Sequence, residues 1–478
     1  MSGKPTPMMQ QYLALKREAG DALLFYRMGD FFELFFEDAR VAAGVLDIAL
    51  TTRGEHDGEP VPMCGVPVHA AEGYLARLIK GGCRVAIAEQ TETPDEAKER
   101  ARREGTPVSK SLVARDIVRF VTAGTLTEEA LLEPRRANLL VAVAPLRDSV
   151  GLAACDISTG RMELEECPIA ALDAALARLG ASELLAPDDW PDAPADIIAR
   201  PRSDFRSEDG ESRLKTIHQI ATLDGLGDFS RPMLAAAAGL IAYLEHAGRG
   251  TLPFLLPPVA RGSGAHLAMD AATRASLEIL EAQNGGRAGS LIACIDRCAT
   301  GAGARQLAED LSAPLADRAA IEARHDMVAA LVADDPLRQD LLDTLGRIQD
   351  IARIAGRVAT GRVTPRDIVA LGRSIAQLPA LCERLELLPA AEVLHAATAD
   401  LQTQLLDLGD EIRRTCQEDP PTHMREGGLF RDGVDAQLDE SRTLQRDGSE
   451  WLATYQAQLS QESGIGSLKV GFNKVFGY

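Results

Sequence analysis

Apolar positions change their spacing along the chain, and the change divides it. Residues 23–27 and 31–35 alternate with the two-residue period of strands, joined at Met28, Gly29 and Asp30, and residues 37–48 carry a helical pattern. Residues 60–69 read as loop because of their prolines, residues 73–80 as helix and residues 84–88 as a buried strand. The pattern restarts at Asn138. Strands are expected at 139–143, 150–155, 161–165 and 183–185, with helices at 170–179 and 232–246. A Pro- and Gly-bearing stretch at 248–264 marks a boundary. Beyond Met269 apolar residues recur at three- and four-residue steps, as in Leu337, Leu341, Leu345, Ile348, Ile351 and Ile354, which predicts helix with that stripe on one face. From Gly427 a charged pattern predicts one long helix through Trp451 and Tyr455, followed by strand-like segments at 468–472 and 475–478. The chain therefore reads as two α/β regions followed by a mostly helical one. Because it stops on a strand pattern, we expect a piece of a longer protein.

Composition narrows the function classes. The length of 478 residues suggests about three domains at ~150 residues each. The most apolar run, residues 233–244, falls short of the ~20 residues that span a bilayer, and no signal-peptide core is present. Eight cysteines without a regular framework point to a reducing compartment, so a cytoplasmic location and no membrane partner are expected. A net charge of −20 argues against nucleic acid, but only the field at a contact surface counts. Between Lys98 and Arg119 the balance reverses, with Lys98, Arg100, Arg102, Arg103, Lys110, Arg115 and Arg119 dominating. That run is either a solvated helix face or a contact surface.

Common catalytic templates are missing: there is no His-Glu-x-x-His, Gly-x-Ser-x-Gly or Cys-x-x-Cys. Cys294 and Cys298, one helical turn apart in a helix, read as core residues. Asp156, before a Ser-Thr-Gly turn, resembles the acidic residue on a ribonuclease-H strand. With Glu163 and Glu165 it makes a metal-dependent nuclease the second alternative, after a purely structural, partner-binding fragment, since two-metal sites need several close carboxylates.

Aromatics are only 4% of the chain, yet six lie between Phe25 and Phe36. Alternation places Phe31, Glu33 and Phe35 on one face of their strand and Phe32 and Leu34 on the other. If the second set is buried, an aromatic and a carboxylate are presented outward. Phe31 is then either an ordinary surface residue or a wedge that tests whether a base step can be unstacked. A carboxylate beside phosphates is repelled unless it bonds a base or takes a proton, and that penalty can discriminate.

The run from Phe25 through Arg27, Met28-Gly29-Asp30 and Phe31-Phe32-Glu33-Leu34-Phe35 resembles the Phe-x-Glu element of the MutS family of DNA mismatch repair proteins. Further similar segments follow in family order: Leu50 to Gly54, Pro62 to His69, Ala88-Glu89-Gln90, Arg119 to Thr125, Gly151 to Gly160, Leu267 to Leu280, Asp296-Arg297, Thr300 to Arg305, Gly361 to Asp367, and Leu468 to Asn473 with Gly477-Tyr478.

The resemblance implies an α/β plus all-α multidomain fold. Its parts are a mixed α/β mismatch-recognition domain (1–125), a ribonuclease-H-like connector (126–255), a helical core and lever (256–430) and the start of a clamp (431–478). It implies that Phe31 stacks on the mispaired or unpaired base from the minor groove and that Glu33 hydrogen-bonds it. Arg53, Met63, His69, Arg115 and Arg119 fall in segments near the DNA or supporting the recognition loop, and Lys469, Asn473 and Lys474 in the clamp segment that meets phosphates. The implied partners are double-stranded DNA with mispairs or small loops, a second copy of the full-length chain, a MutL protein and a sliding clamp, in a bacterial, nucleoid-associated setting. Full-length members use ATP and Mg2+, but a P-loop needs Gly-x-x-x-x-Gly-Lys-Ser/Thr, and the one Gly-Lys pair here, Gly3-Lys4, precedes Pro5. No cofactor or ATPase activity is expected of this chain, and the ATPase is expected beyond Tyr478. The sequence departs from the family pattern at Ala123, where Pro is common, at Asp310, where an aromatic is common, and in its long basic stretch.

Overall fold

The computed structural model describes residues 6–107, 111–262, 264, 266–388 and 402–470. Two compact units are present, residues 1–363 with 380–396 and residues 364–379 with 397–478.

The first unit opens with helix α1 (Pro7–Ala19), capped by Thr6, whose hydroxyl accepts from the Met9 N–H. Strands β1 (Leu23–Met28) and β2 (Phe31–Phe35) form the expected hairpin, and α2 (Phe36–Leu46) follows. Next come β3 (Thr51–His56) and β4 (Glu59–Pro67), then α3 (Ala71–Lys80), β5 (Val85–Gln90), α4 (Pro94–Arg103) and β6 (Arg115–Val121). The sheet order is β3-β4-β2-β1-β5-β6, antiparallel except for β1 beside β5.

Residues 60–69 are therefore not loop. β2 pairs β4 over Met63 to Pro67, whereas Pro60 and Pro62 lie in the half of β4 that pairs with β3 alone. A proline without an N–H is tolerated there because one side of the strand is open. Alternation sorts the core into two layers. Phe25, Phe32 and Leu34 pack under α2 and α3, and Leu24, Tyr26 and Phe35 pack under α1. The Tyr12 ring meets Phe35 edge-on at 4.9 Å.

A second sheet contains β7 (Leu140–Leu146), β8 (Ser149–Asp156), β9 (Arg161–Pro168), β10 (Glu183–Pro187), β11 (Ile197–Arg200) and β12 (Val259–Arg261), in the order β11-β10-β7-β8-β9-β12. β7, β8 and β9 form an antiparallel meander, with β10 parallel to β7 and β11 parallel to β10. One face is covered by α5 (Leu172–Leu179), the other by α6 (Ser207–His218) and the Ala-rich α7 (Arg231–Ala247). The small residues let backbones close up: a Cβ on Gly151 would sit 1.9 Å from the Pro232 carbonyl oxygen.

Helices make up most of the remaining first unit. The stripe from Leu337 to Ile354 is divided between two of them, Asp335–Leu345 and Ile351–Ala359. The break follows Gly346, and the Asp350 carboxylate caps the second helix by accepting from the Arg353 N–H. That helix is tied to the segment linking the two sheets. Buried Arg353 donates to the carbonyls of Glu133 and Arg136, both at 3.0 Å, and Arg357 pairs with Glu129 at 3.0 Å. Asp310 is a half-exposed ion-pair partner of Arg324 at 3.2 Å, so an aromatic is not needed at its position. Cys294 is the next-to-last residue of a short helix, Leu291–Ile295, and is exposed, while Cys298 lies past it and is half-buried. Their four-residue spacing is thus not a helical turn, and the core reading does not hold.

In the second unit, helices Pro365–Ile375 and Gln402–Thr415 pack through Val369 and Ile412. The long helix is present as Ala436–Ser463, ended by Gly464 at φ +69°, with Trp451 and Tyr455 stacked at 5.1 Å on its surface. Residues 464–470 form no strand, and the rest of the expected strand segments lies outside the described residues. Among the described residues no helix is long and apolar enough to cross a membrane.

Candidate nucleic-acid interface

The exposed end of the first sheet is built by β2. Phe32 and Leu34 are 4% and 0% exposed, whereas Phe31, at the head of the same strand, is 47% exposed. Cover by α1 stops at Phe35, which is fully buried although it shares a face with Phe31 and Glu33. Phe31 is therefore presented to solvent, whereas the Glu33 side chain beside it is only 13% exposed, so the outward carboxylate expected from alternation is largely enclosed.

Glu33 is not alone. Arg53 Nη1 donates to both of its carboxylate oxygens. The register of β3 on β4 shifts by one residue between Thr52 and Glu55, with Gly54 at φ +71°. A glycine in the left-handed region at such a bulge redirects the neighbouring side chain. Across the ladder Glu33 faces Gly65, which has no side chain to hold it. A carboxylate this enclosed is costly to leave uncompensated, and the guanidinium compensates it.

Arg115 sits behind the hairpin. Its Nε donates to the Arg27 carbonyl at 2.6 Å, and its Nη1 donates to the Val113 carbonyl and Gln11 Oε1 at 2.9 and 3.1 Å. The guanidinium lies 4.8 Å from the centre of the Tyr26 ring. With these donors engaged, Arg115 buttresses the strand that leads to Phe31. Met63 faces Phe35 across the ladder and packs beside it in the α1 layer, so it supports the strand from below. His69 is exposed two residues past Pro67, the residue facing Phe31, and the Val68 N–H donates to the Asp30 carbonyl at 2.9 Å.

Arg119 is not part of this group. It pairs at 2.5 Å with buried Glu128, which Arg362 also approaches at 3.7 Å. Burial works against the Glu128 charge, and the two guanidiniums outweigh it, holding the carboxyl below its usual range. Lys469 is exposed in the second unit, and Asn473 and Lys474 lie outside the described residues. In the basic stretch, Lys98 pairs with Asp95 and Arg100 with Glu92, each at 2.8 Å, which makes part of it a self-neutralised helix face.

Asp156 accepts from the Ser158 N–H and hydroxyl at 3.0 and 2.5 Å and from the Asn138 N–H at 3.3 Å. Arg161 stands across the ladder from it, Glu163 pairs with Arg161 at 2.8 Å, and Glu165 pairs with Arg178. Among the described residues no three His, Cys, Asp or Glu side chains are grouped to hold a metal ion.

Sequence reasoning missed a buried junction where the two sheets meet. Glu183 Oε2 accepts from the Thr122 hydroxyl at 2.5 Å and the Gly124 N–H at 2.8 Å, and Oε1 accepts from the Tyr243 hydroxyl at 2.7 Å. Burial, reinforced by the Glu183 charge, raises the Tyr243 hydroxyl pKa. No local pattern announces a contact between residues 61 apart.

Comparisons with known proteins bear on the whole chain. Residues 6–130 match MutS domain I, residues 138–255 MutS domain II and residues 272–464 MutS domain III. Proteins named DNA mismatch repair protein MutS from Erythrobacter litoralis and Zymomonas mobilis are 60% and 49% identical over 100% and 98% of this chain. One from Paracoccus denitrificans is 47% identical over 100% of it. The chain spans about half the length of these relatives, 55%, 54% and 54%. Three successive domain matches and this level of identity place the chain in the MutS family.

Proposed function

We propose that this chain detects mispaired or unpaired bases in duplex DNA, with Phe31 entering from the minor groove, Glu33 hydrogen-bonding the displaced base and the duplex kinking around the wedge. The observation that carries the reading is β2 itself. It leaves Phe31 47% exposed beside Glu33 while burying Phe32 and Leu34 on its other face. A wedge is cheapest where pairing is already weak, so such a pair reads deformability rather than base identity.

The remaining architecture fits this reading. A three-stranded meander flanked by parallel β10 and β11 supports a ribonuclease-H-like connector, and the domain limits are proposed near 125, 255 and 430. Arg115, Met63 and His69 then serve as support and rim of the recognition strand. Lys469, Asn473 and Lys474 are proposed phosphate contacts that position without reading sequence. ATP hydrolysis with Mg2+, homodimerisation around DNA and engagement of a MutL protein and a sliding clamp belong, in this reading, to the full-length protein. No segment of this chain fits a phosphate-cradling loop, so no step here runs through ATP.

The test is competition binding to a duplex with one unpaired thymine against its matched twin at moderate salt, with Phe31→Ala alongside. A preference that disappears in the variant is expected. Equal binding of both duplexes, by this chain and by the same chain extended to full family length, would refute the reading.

A further inference from the structure

Glu33 poses a problem that the fold answers in an unexpected way. A free carboxylate at a DNA-facing edge repels every duplex, matched or not, and would oppose even the search for a lesion. Here the charge is already neutralised, because both carboxylate oxygens accept from Arg53 Nη1. The two partners differ in accessibility: the Glu33 side chain is 13% exposed and that of Arg53 43%. Arg53 stands on the edge strand β3, at a bulge made by Gly54, with open solvent on one side. A group on a bulged edge can turn away from its partner without disturbing the buried layers. Glu33, opposite Gly65, is then left with no other side-chain partner among the described residues.

We infer that Arg53 and Glu33 act as a swap that sets specificity. They remain paired when the protein lies on matched DNA, and at a mispair the pair opens, a backbone phosphate taking the guanidinium and the unstacked base edge taking the carboxylate. Both charges keep a partner in each state, which avoids the cost of an uncompensated, largely enclosed carboxylate. On matched DNA the base edges are occupied by their own pairing, so Glu33 has nothing to receive it and holds Arg53 back. Arg53 is thus a specificity-determining residue through Glu33, and this role rests on the proposed mispair reading.

The swap predicts a salt signature. Each phosphate neutralised steepens the dependence of log K on log salt by about 0.9. The wild-type chain is expected to show a slope steeper by about 0.9 on the unpaired-thymine duplex than on its matched twin. Arg53→Gln should abolish that difference, and Arg53→Lys should retain it. Glu33→Gln should free Arg53 on both duplexes, steepening the matched slope by about 0.9 while mispair preference falls. Equal slopes in the wild type, or a difference that survives Arg53→Gln, would overturn the swap even with mispair preference intact. Equal affinity for the two duplexes, in the wild-type chain and in the same chain extended to full family length, would overturn the functional reading with it. Thermal unfolding of each variant establishes that it is folded, and equal slopes in the wild type would overturn the swap without any variant.

Discussion

Adjacent phenylalanines on β2 should respond to truncation in opposite ways. Phe32 is 4% exposed and packs its ring 5.5 Å from that of Phe25, with the Arg27 guanidinium 5.5 Å away over the same ring. Removing it opens a cavity beneath α2 and α3, and Phe32→Ala should cost ~3–5 kcal/mol. Phe31 is 47% exposed, so about half of its surface is withdrawn from water and no enclosed cavity follows its loss. With full burial of such a side chain worth ~1.5–3 kcal/mol, Phe31→Ala should cost only ~1 kcal/mol. Binding should reverse the order. Stacking of an aromatic on a base is worth ~1–3 kcal/mol by alanine substitution, so Phe31→Ala should lower the preference for an unpaired thymine roughly five- to 150-fold. Urea unfolding and competition binding on the same preparations separate the two effects. A stability loss in Phe31→Ala equal to that in Phe32→Ala would show that Phe31 is core and refute the wedge.

Three further outcomes follow from named contacts. Arg115→Ala removes the donor to the Arg27 carbonyl and the guanidinium over Tyr26, and should cost ~1.5–3 kcal/mol and weaken mispair preference; Arg115→Lys should not rescue it in unfolding or binding assays, because an ammonium lacks the planar fork. Gly124→Ala would place a Cβ 2.7 Å from Glu183 Oε2 and 2.8 Å from Leu140 Cδ1, and should cost ~1–3 kcal/mol by thermal unfolding. Asp296 titrates at about 2, because its bond from Arg135 at 2.7 Å and from the Cys298 N–H at 3.0 Å outweigh burial, which acts the other way. Its folded value lies below the unfolded one, so its stabilising effect is present above pH ~4 and fades as pH falls toward about 2. Thermal midpoints should therefore decline less steeply over that window in Asp296→Asn than in the wild type.

Features that depend on near neighbours were legible from the amino-acid sequence. The β1–β2 hairpin, the exposure of Phe31, the burial of Phe32 and Leu34, the Ala-rich α7 and the long helix Ala436–Ser463 all follow from periodicity and turn residues. Where a second strand or helix decides the outcome, local patterns failed. β4 reads as loop by its prolines until β3 and β2 are seen to pair different halves of it, and short β11 and β12 exist through the ladders of β10 and β9. The stripe from Leu337 to Ile354 is continuous in sequence but divided by a turn that Asp350 caps. The site shows the same division. Sequence placed Phe31 and Glu33 side by side, but the Arg53 partner of Glu33, the Arg115 brace and the Glu183 junction bring together residues 20, 88 and 61 positions apart. Periodicity tells each residue which face it occupies, whereas the partner waiting on that face is set by sheet order, register and a single bulge, which exist only after the chain has folded.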